Sequence, residues 1–347
     1  MPRESPDKGG RTEELLREYF LRAGYFAVRG VPLNFDDLEV TDVDVWLYLR
    51  PSSLGRERVN VDAKDKGKPK ALERVLWAKG LQSTLGLERA VVATTDKRSA
   101  VRQFGNKHGV LVLDGHFISR LAAQTGATSE SSRLSEEEFV ELFVGERDDR
   151  FLGNWKKRLN VAKGRLLTQL EFDGCNAWLD DVRYFADQVV VSSRKEAACR
   201  LLYLMQSFLL IGLDYSLRTL AFESTDLRRQ AIESGFRYGS EGKASSARAL
   251  SLATRLIEGY APDARGMVQR IRASVDKDLS GLPVEALGEY FVRAENKDMF
   301  ADAKAMEALA FARVFVRPAA LEVQAQALIG VMLDFFGMDR VKFFGAA

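Results

Sequence analysis

The hydrophobic period of this chain changes once, near residue 125, and that switch constrains the fold more than any motif does. Before it, segments with the two-residue period of a strand alternate with helix-periodic segments. After it, almost every segment has the helical period. Thr41–Leu49 (TDVDVWLYL) puts Val43, Val45 and Leu47 on one side and Asp42 and Asp44 on the other. After a turn at Pro51–Gly55, Arg58–Lys64 (RVNVDAK) alternates again, with Val59, Val61 and Ala63 inward and Asn60, Asp62 and Lys64 outward. Upstream, Arg11–Ala23 carries Leu15, Leu16, Tyr19 and Phe20 at helical spacing and stops at Gly24, and Tyr25–Arg29 suits a short strand. Downstream, the pattern predicts a helix from Pro69 to about Leu85, an apolar strand at Ala90–Thr94, a helix capped by Asp96 and running to about His108, and a strand at Val110–Leu113. The order α-β-β-β-α-β-α-β predicts a mixed sheet with helices packed around it.

Beyond Thr125, Ala127–Arg133 reads as a small polar linker, and Ser135 with Glu138 has the spacing of a capping box. Helices are expected over Arg194–Ala221, Ala244–Gly259, Asp263–Leu279, Pro283–Arg293 and Pro318–Phe336. Only Gln188–Ser192 (QVVVS) is strand-like, with a helix extension as the alternative. At 347 residues the chain exceeds what one core usually organises, roughly 250–300 residues. The expected division is a disordered start at 1–10, an α/β domain at 11–125, a linker at 126–134 and an all-α domain at 135–347.

Two cysteines, Cys175 and Cys199, in no metal or redox spacing point to a reducing cytoplasm. His108 and His116 are the only histidines, which leaves zinc sites and Ser-His hydrolases poorly supported. Met1–Gly10 is polar and lacks the apolar core of a signal peptide. Leu201–Leu213 is too short to span a bilayer and reads as a buried helix, so no membrane partner is expected. The net charge of +2 hides an asymmetry: residues 1–125 hold 21 basic and 17 acidic residues, the remainder 30 and 32. The basic excess of the first part favours a polyanionic partner.

If the two alternating strands pair as a hairpin, Asp44 and Asp62 converge within reach of one divalent cation, and Lys64 shares the polar side of its strand with Asp62. Mg²⁺ takes few carboxylates, keeps waters and binds substrate phosphate, so this set suits metal-assisted phosphodiester hydrolysis. The acid-x-Lys pattern occurs four times, at Asp62-Lys64, Glu241-Lys243, Glu295-Lys297 and Asp302-Lys304. Only the first lies on an alternating strand, after another strand aspartate and ahead of a helix. Solvated edge-strand charges are the competing explanation for such aspartates.

Gly10–Leu16 (GRTEELL), Ala23-Gly24-Tyr25, Thr41–Val45 (TDVDV), Val61–Lys64 (VDAK), Ala90–Thr95 and Gly109–Gly115 (GVLVLDG) together resemble the PD-(D/E)XK nuclease superfamily, most closely its Mrr-type restriction-endonuclease branch. The resemblance covers about residues 10–121. It implies a restriction-endonuclease-like fold with Asp44 and Asp62 as metal ligands, the Ala63 carbonyl completing the protein ligation, and Lys64 as the catalytic lysine. The helix-borne acid of the family would be Glu13, with Glu14 as its rival. Val43 stands where the name-giving proline would be, and Asp62 where the branch often has a neutral residue.

The run Lys64, Lys66, Lys68, Lys70, Arg74, Lys79 beside that site reads as a track for a phosphate backbone, the alternative being a solvated helix face. Gln82 offers a polar contact near the site or a packing role. Gly239–Lys243 (GSEGK) lacks the spacing of a phosphate loop. The expectation is a two-domain cytoplasmic nuclease dependent on Mg²⁺, with Mn²⁺ able to substitute, acting on DNA ahead of RNA in defence against foreign DNA, with repair or junction processing as the competitor. A catalytically silent nucleic-acid-binding or scaffold protein of the same fold is the rival from another class. The helical half is expected to regulate, to form a homodimer or to bind a partner protein.

Overall fold

The structure is a computed structural model that describes residues 8–36, 38–64, 70–126, 132–143, 155–260, 265–293 and 298–347. Its first part follows the expected order and adds a ninth element, α4: α1 (Lys8–Arg22), β1 (Phe26–Phe35), β2 (Leu38–Leu49), β3 (Glu57–Lys64), α2 (Ala71–Leu85), β4 (Arg89–Thr94), α3 (Ser99–Lys107), β5 (Val110–Leu113) and α4 (Gly115–Gly126). The strands form one sheet in the order β1-β2-β3-β4-β5. β1, β2 and β3 pair antiparallel, and β3, β4 and β5 pair parallel. The helices α2 and α3 are the crossovers that parallel pairing requires. The start expected to be disordered is partly ordered: Lys8–Gly10 belong to α1, and a Cβ at Gly10 would lie 2.7 Å from the Arg29 guanidinium. Glycine is what allows that approach.

Among the described residues the remainder is mostly helical: α5 (Glu136–Glu141), α6 (Trp155–Thr168), α7 (Phe172–Val191), α8 (Lys195–Ser216), α9 (Thr225–Tyr238), α10 (Gly242–Tyr260), α11 (Arg265–Ser280), α12 (Val284–Val292), α13 (Met299–Phe311), α14 (Val323–Phe336) and α15 (Arg340–Ala346). Ser135 and Glu138 form the expected capping box. The strand-like Gln188–Ser192 segment closes α7, its helical alternative. α8 is apolar and long enough to match a membrane span, but 94% of its apolar window is buried inside the fold. Its composition is that of a central core helix.

Three clusters of buried apolar residues hold these elements together. On one face of the sheet, Val45, Leu47, Val59, Val61 and Val91 pack under Leu16 and Phe20 of α1 and Ile118 and Leu121 of α4. On the other face, α2 and α3 cover β4 and β5 through Val75, Ala78, Val92, Val101 and Val112. That second layer stops short of β1 and β2. There Phe26, Val28, Trp46 and Tyr48 enter the core of the helical part, among Trp178, Phe208 and Phe300. The boundary expected at residue 135 divides the chain but not this core. The side of β3 expected to face outward is also covered: Asn60 is buried and donates through Nδ2 to the Ala78 carbonyl at 3.1 Å. A central strand of a partly parallel sheet is enclosed on both faces.

Candidate functional site

The site forms where two strands part. The β2–β3 ladder runs from Leu49↔Glu57 to Val45↔Val61 and ends there. Beyond it β2 continues with β1 alone, out to Leu38↔Phe35, while β3 continues with β4 through Asp62↔Val92, Ala63↔Ala93 and Lys64↔Thr94. Asp44 and Asp62 are the first residues past the last shared rung. Opposite Asp44 on β1 is Gly30, at a φ of 59°, and that rung is missing from the β1–β2 ladder. A left-handed residue is cheap only as glycine, and it bends the hairpin away from β3 at this point.

A strand that leaves its neighbour abandons backbone donors, and buried ones need a new acceptor. The Asp44 carboxylate supplies it, with Oδ2 accepting from the Ala63 N–H at 2.6 Å. Burial pushes the Asp44 pKa up to about 6; the Ala63 N–H lowers it, Glu13 and Asp42 raise it and Lys64 lowers it. Glu13, Asp42, Asp44 and Lys64 therefore act within one electrostatic neighbourhood. The acid of α1 whose charge reaches Asp44 is Glu13. Glu14 turns inward to Arg17 and Arg29, and burial raises its pKa against the pull of both cations.

Glu13 is held from the opposite side by Arg29, whose Nε donates to Oε2 at 2.8 Å. Arg29 also contacts Glu137 of α5 at 2.8 Å, and Lys163 of α6 donates to the Arg29 carbonyl at 2.8 Å and to Glu136 at 2.5 Å. The acid on α1 is thus fastened to the helical half by a chain of charges.

Asp62 is 7% exposed and paired with Arg74 of α2. The Arg74 Nε donates to Oδ2 at 2.7 Å and Nη2 lies against Oδ1. Sequence reasoning assigned Arg74 to a phosphate track and missed this contact. The available signal was topological: a crossover helix runs back along the strand it follows, so a cation in its first turn lies over the strand's last residues. The same geometry corrects the placement of Gln82. It sits near the far end of α2, where Nε2 donates to the Glu88 carbonyl at 3.0 Å and Oε1 accepts from Lys79. Glu88 in turn meets Arg58 at the opening end of β3, away from Asp62. Lys70 precedes α2 at the Asp62 end, is exposed, and pairs with Glu73 at 3.1 Å. Lys66 and Lys68 lie outside the described residues.

Among the described residues no group of three or more His, Cys, Asp or Glu side chains is arranged to hold a metal ion. The candidate donors are two carboxylates and backbone oxygen at Ala63, a hard set that suits Mg²⁺ with several retained waters. Asp44, half-buried and opposed mainly by a backbone N–H, fits a cation ligand. Asp62 fits once Arg74 leaves it. Compared with family models, curated proteins and solved structures, the chain finds no match in any of the three. The functional reading rests on the residues of the site.

Proposed function

We propose that this chain is a divalent-cation-dependent nuclease of the PD-(D/E)XK type, acting on DNA ahead of RNA. The observation that carries the reading is the placement of Asp44 and Asp62 on neighbouring strands at the first rung past the end of their ladder, with Lys64 closing β3 beside them. The five-stranded mixed sheet between α1 and α2 supports it. Asp44, Asp62 and the Ala63 carbonyl would hold the cation, Mg²⁺ with Mn²⁺ as substitute. When bound, that ion supplies Lewis-acid stabilisation of the charge developing on the phosphate.

The remaining work falls to side chains. Lys64 would orient the attacking water and offset charge on the scissile phosphate; Glu13 would order water at the α1 side; Lys70, with Lys66 and Lys68, would hold the backbone beyond. Hydrolysis breaks one P–O bond, with water adding to phosphorus and the proton passing to the leaving oxygen. A homodimer or a partner protein engaged through the helical part would present such a centre to both strands of a duplex. A cytoplasmic role in defence against foreign DNA is the setting this reading favours.

The Arg74–Asp62 pair favours a second reading, a nucleic-acid-binding or scaffold protein of the same fold without catalysis. Purified chain incubated with supercoiled, linear and single-stranded DNA and with RNA, in Mg²⁺ or Mn²⁺, separates the two. The nuclease reading expects cleavage that Lys64→Ala and Asp44→Asn abolish. Identical behaviour of wild type and Lys64→Ala on every substrate refutes it.

A further inference from the structure

Asp62 has a counter-charge already, and that contact has a second half. The Arg74 guanidinium that contacts the Asp62 carboxylate also approaches the ring of Trp77, with Cζ 5.9 Å from the ring centroid. Trp77 is 47% exposed, whereas Trp46, Trp155 and Trp178, the other three tryptophans, are buried. Residues three apart on a helix share a face, so Arg74 and Trp77 are neighbours on α2 whichever partner the guanidinium takes. A buried carboxylate without a cation is costly. An aromatic face offers a guanidinium a weaker, solvent-accessible station.

We propose that Arg74 is a built-in stand-in for the divalent cation: it occupies Asp62 while the site is metal-free and withdraws onto the Trp77 face when the ion binds. The inference rests on the nuclease reading, since it takes Asp62 to be a cation ligand. Arg74 is then a positioning residue that keeps the centre closed and neutral until the ion displaces it. A site whose competent state is only partly populated binds with affinity reduced by that fraction. Removing the stand-in must therefore tighten cation binding. Simple repulsion between Arg74 and the ion would tighten it as well, and the lysine variant tells the two apart. Lysine keeps the positive charge but cannot make the two-pronged contact.

The test uses the full chain. Wild type, Arg74→Ala, Arg74→Lys and Asp62→Asn are first checked for cooperative thermal melting without metal. Mn²⁺ affinity is then measured by calorimetry, and tryptophan emission is followed on adding Mg²⁺, with Trp77→Phe to identify the source. The expected order is Arg74→Ala tightest, by about tenfold or more over wild type, with Arg74→Lys between. Asp62→Asn should lose most binding. Mg²⁺ should change the emission of wild type, and Trp77→Phe or Arg74→Ala should remove that change. Should Arg74→Ala fail to melt cooperatively, the ranking of Arg74→Lys above wild type decides alone.

If wild type binds Mn²⁺ through Asp62 while Arg74→Ala binds no more tightly, the stand-in role is refuted and the nuclease reading survives. If Arg74→Lys matches wild type while Arg74→Ala is tighter, repulsion accounts for the effect and the proposal falls. If neither wild type nor Arg74→Ala binds Mn²⁺, both the nuclease reading and the proposal are overturned.

Discussion

Cutting the chain after Gly126 removes the helical part and leaves every strand of the sheet in place, yet the fragment should not fold. The perturbation uncovers Phe26, Val28, Val31, Val43, Trp46 and Tyr48, each 5% exposed or less in the whole chain and all part of the core shared with the helices. Fully burying a large apolar side chain is worth roughly 1.5–3 kcal/mol. Six of them amount to about 9–18 kcal/mol, against a total stability of about 5–15 kcal/mol for a typical domain. The fragment also loses Asp214, which accepts from the Tyr48 hydroxyl at 2.6 Å and from Arg56 Nη2 at 3.0 Å, leaving both donors without a partner.

The assay is expression of residues 1–126 beside the whole chain, followed by urea unfolding and an amide NMR spectrum. Insoluble material, or a soluble state with collapsed amide dispersion and no cooperative transition, is expected. A cooperative urea transition with dispersed amides would refute the reasoning and make the helical part a detachable domain.

Three further outcomes follow from buried charge. Asp214→Ala removes the carboxylate that faces the Arg56 guanidinium, a side chain 4% exposed; it should cost about 3–5 kcal/mol in urea unfolding, and a loss below about 1 kcal/mol would refute this. Asp44 has its pKa pushed up to about 6, so its carboxylate weakens the fold increasingly as pH rises from about 4 to about 6 and fully above that. Asp44→Asn should therefore raise the melting temperature at pH 7–8 and leave it unchanged near pH 4; an equal shift at both would refute the assignment. Burial raises the Glu136 pKa, but Lys163 and Arg17 outweigh it and the net shift is downward. Its contribution is present above the usual carboxylate range and is lost as pH falls through the lowered value. Glu136→Gln should thus destabilise at pH 7 and not in strong acid, measured by thermal melts across pH.

The strand pair was legible because its period is local. TDVDVWLYL and RVNVDAK each announce two faces, and the turn at Pro51–Gly55 sets a register that brings Asp44 level with Asp62. What could not be read was which cover each face receives. Trp46 and Tyr48 occupy positions that alternate with Val45 and Leu47, and they stack on each other within a core whose other members, Phe300 against Tyr48 among them, lie far along the chain. Asn60 and Asp62 looked solvated because polar residues usually are; the helix that covers them begins beyond residue 70. Gln82 was misplaced for want of a direction, since helical periodicity fixes a face but not which end of the strand the helix passes. Buried Arg17, Lys163 and Asp181 carry no mark in the sequence that separates them from surface charges.

The distribution of charge around the fork separates Asp44 from the other acids. Glu13 has Arg29, Asp62 has Arg74 and Glu136 has Lys163, each within hydrogen-bond reach. Asp44 is met by a backbone N–H, with Lys64 acting through its field. A largely desolvated carboxylate left in that state is costly, and the pKa pushed up to about 6 expresses the cost. An asparagine there could still accept the Ala63 N–H through its amide oxygen without the cost of desolvating a charge. Groups that weaken a fold in this way concentrate at functional sites. The same carboxylate closes the backbone gap left where β2 departs from β3, so its geometry is set by the sheet and its charge is left for a ligand to neutralise.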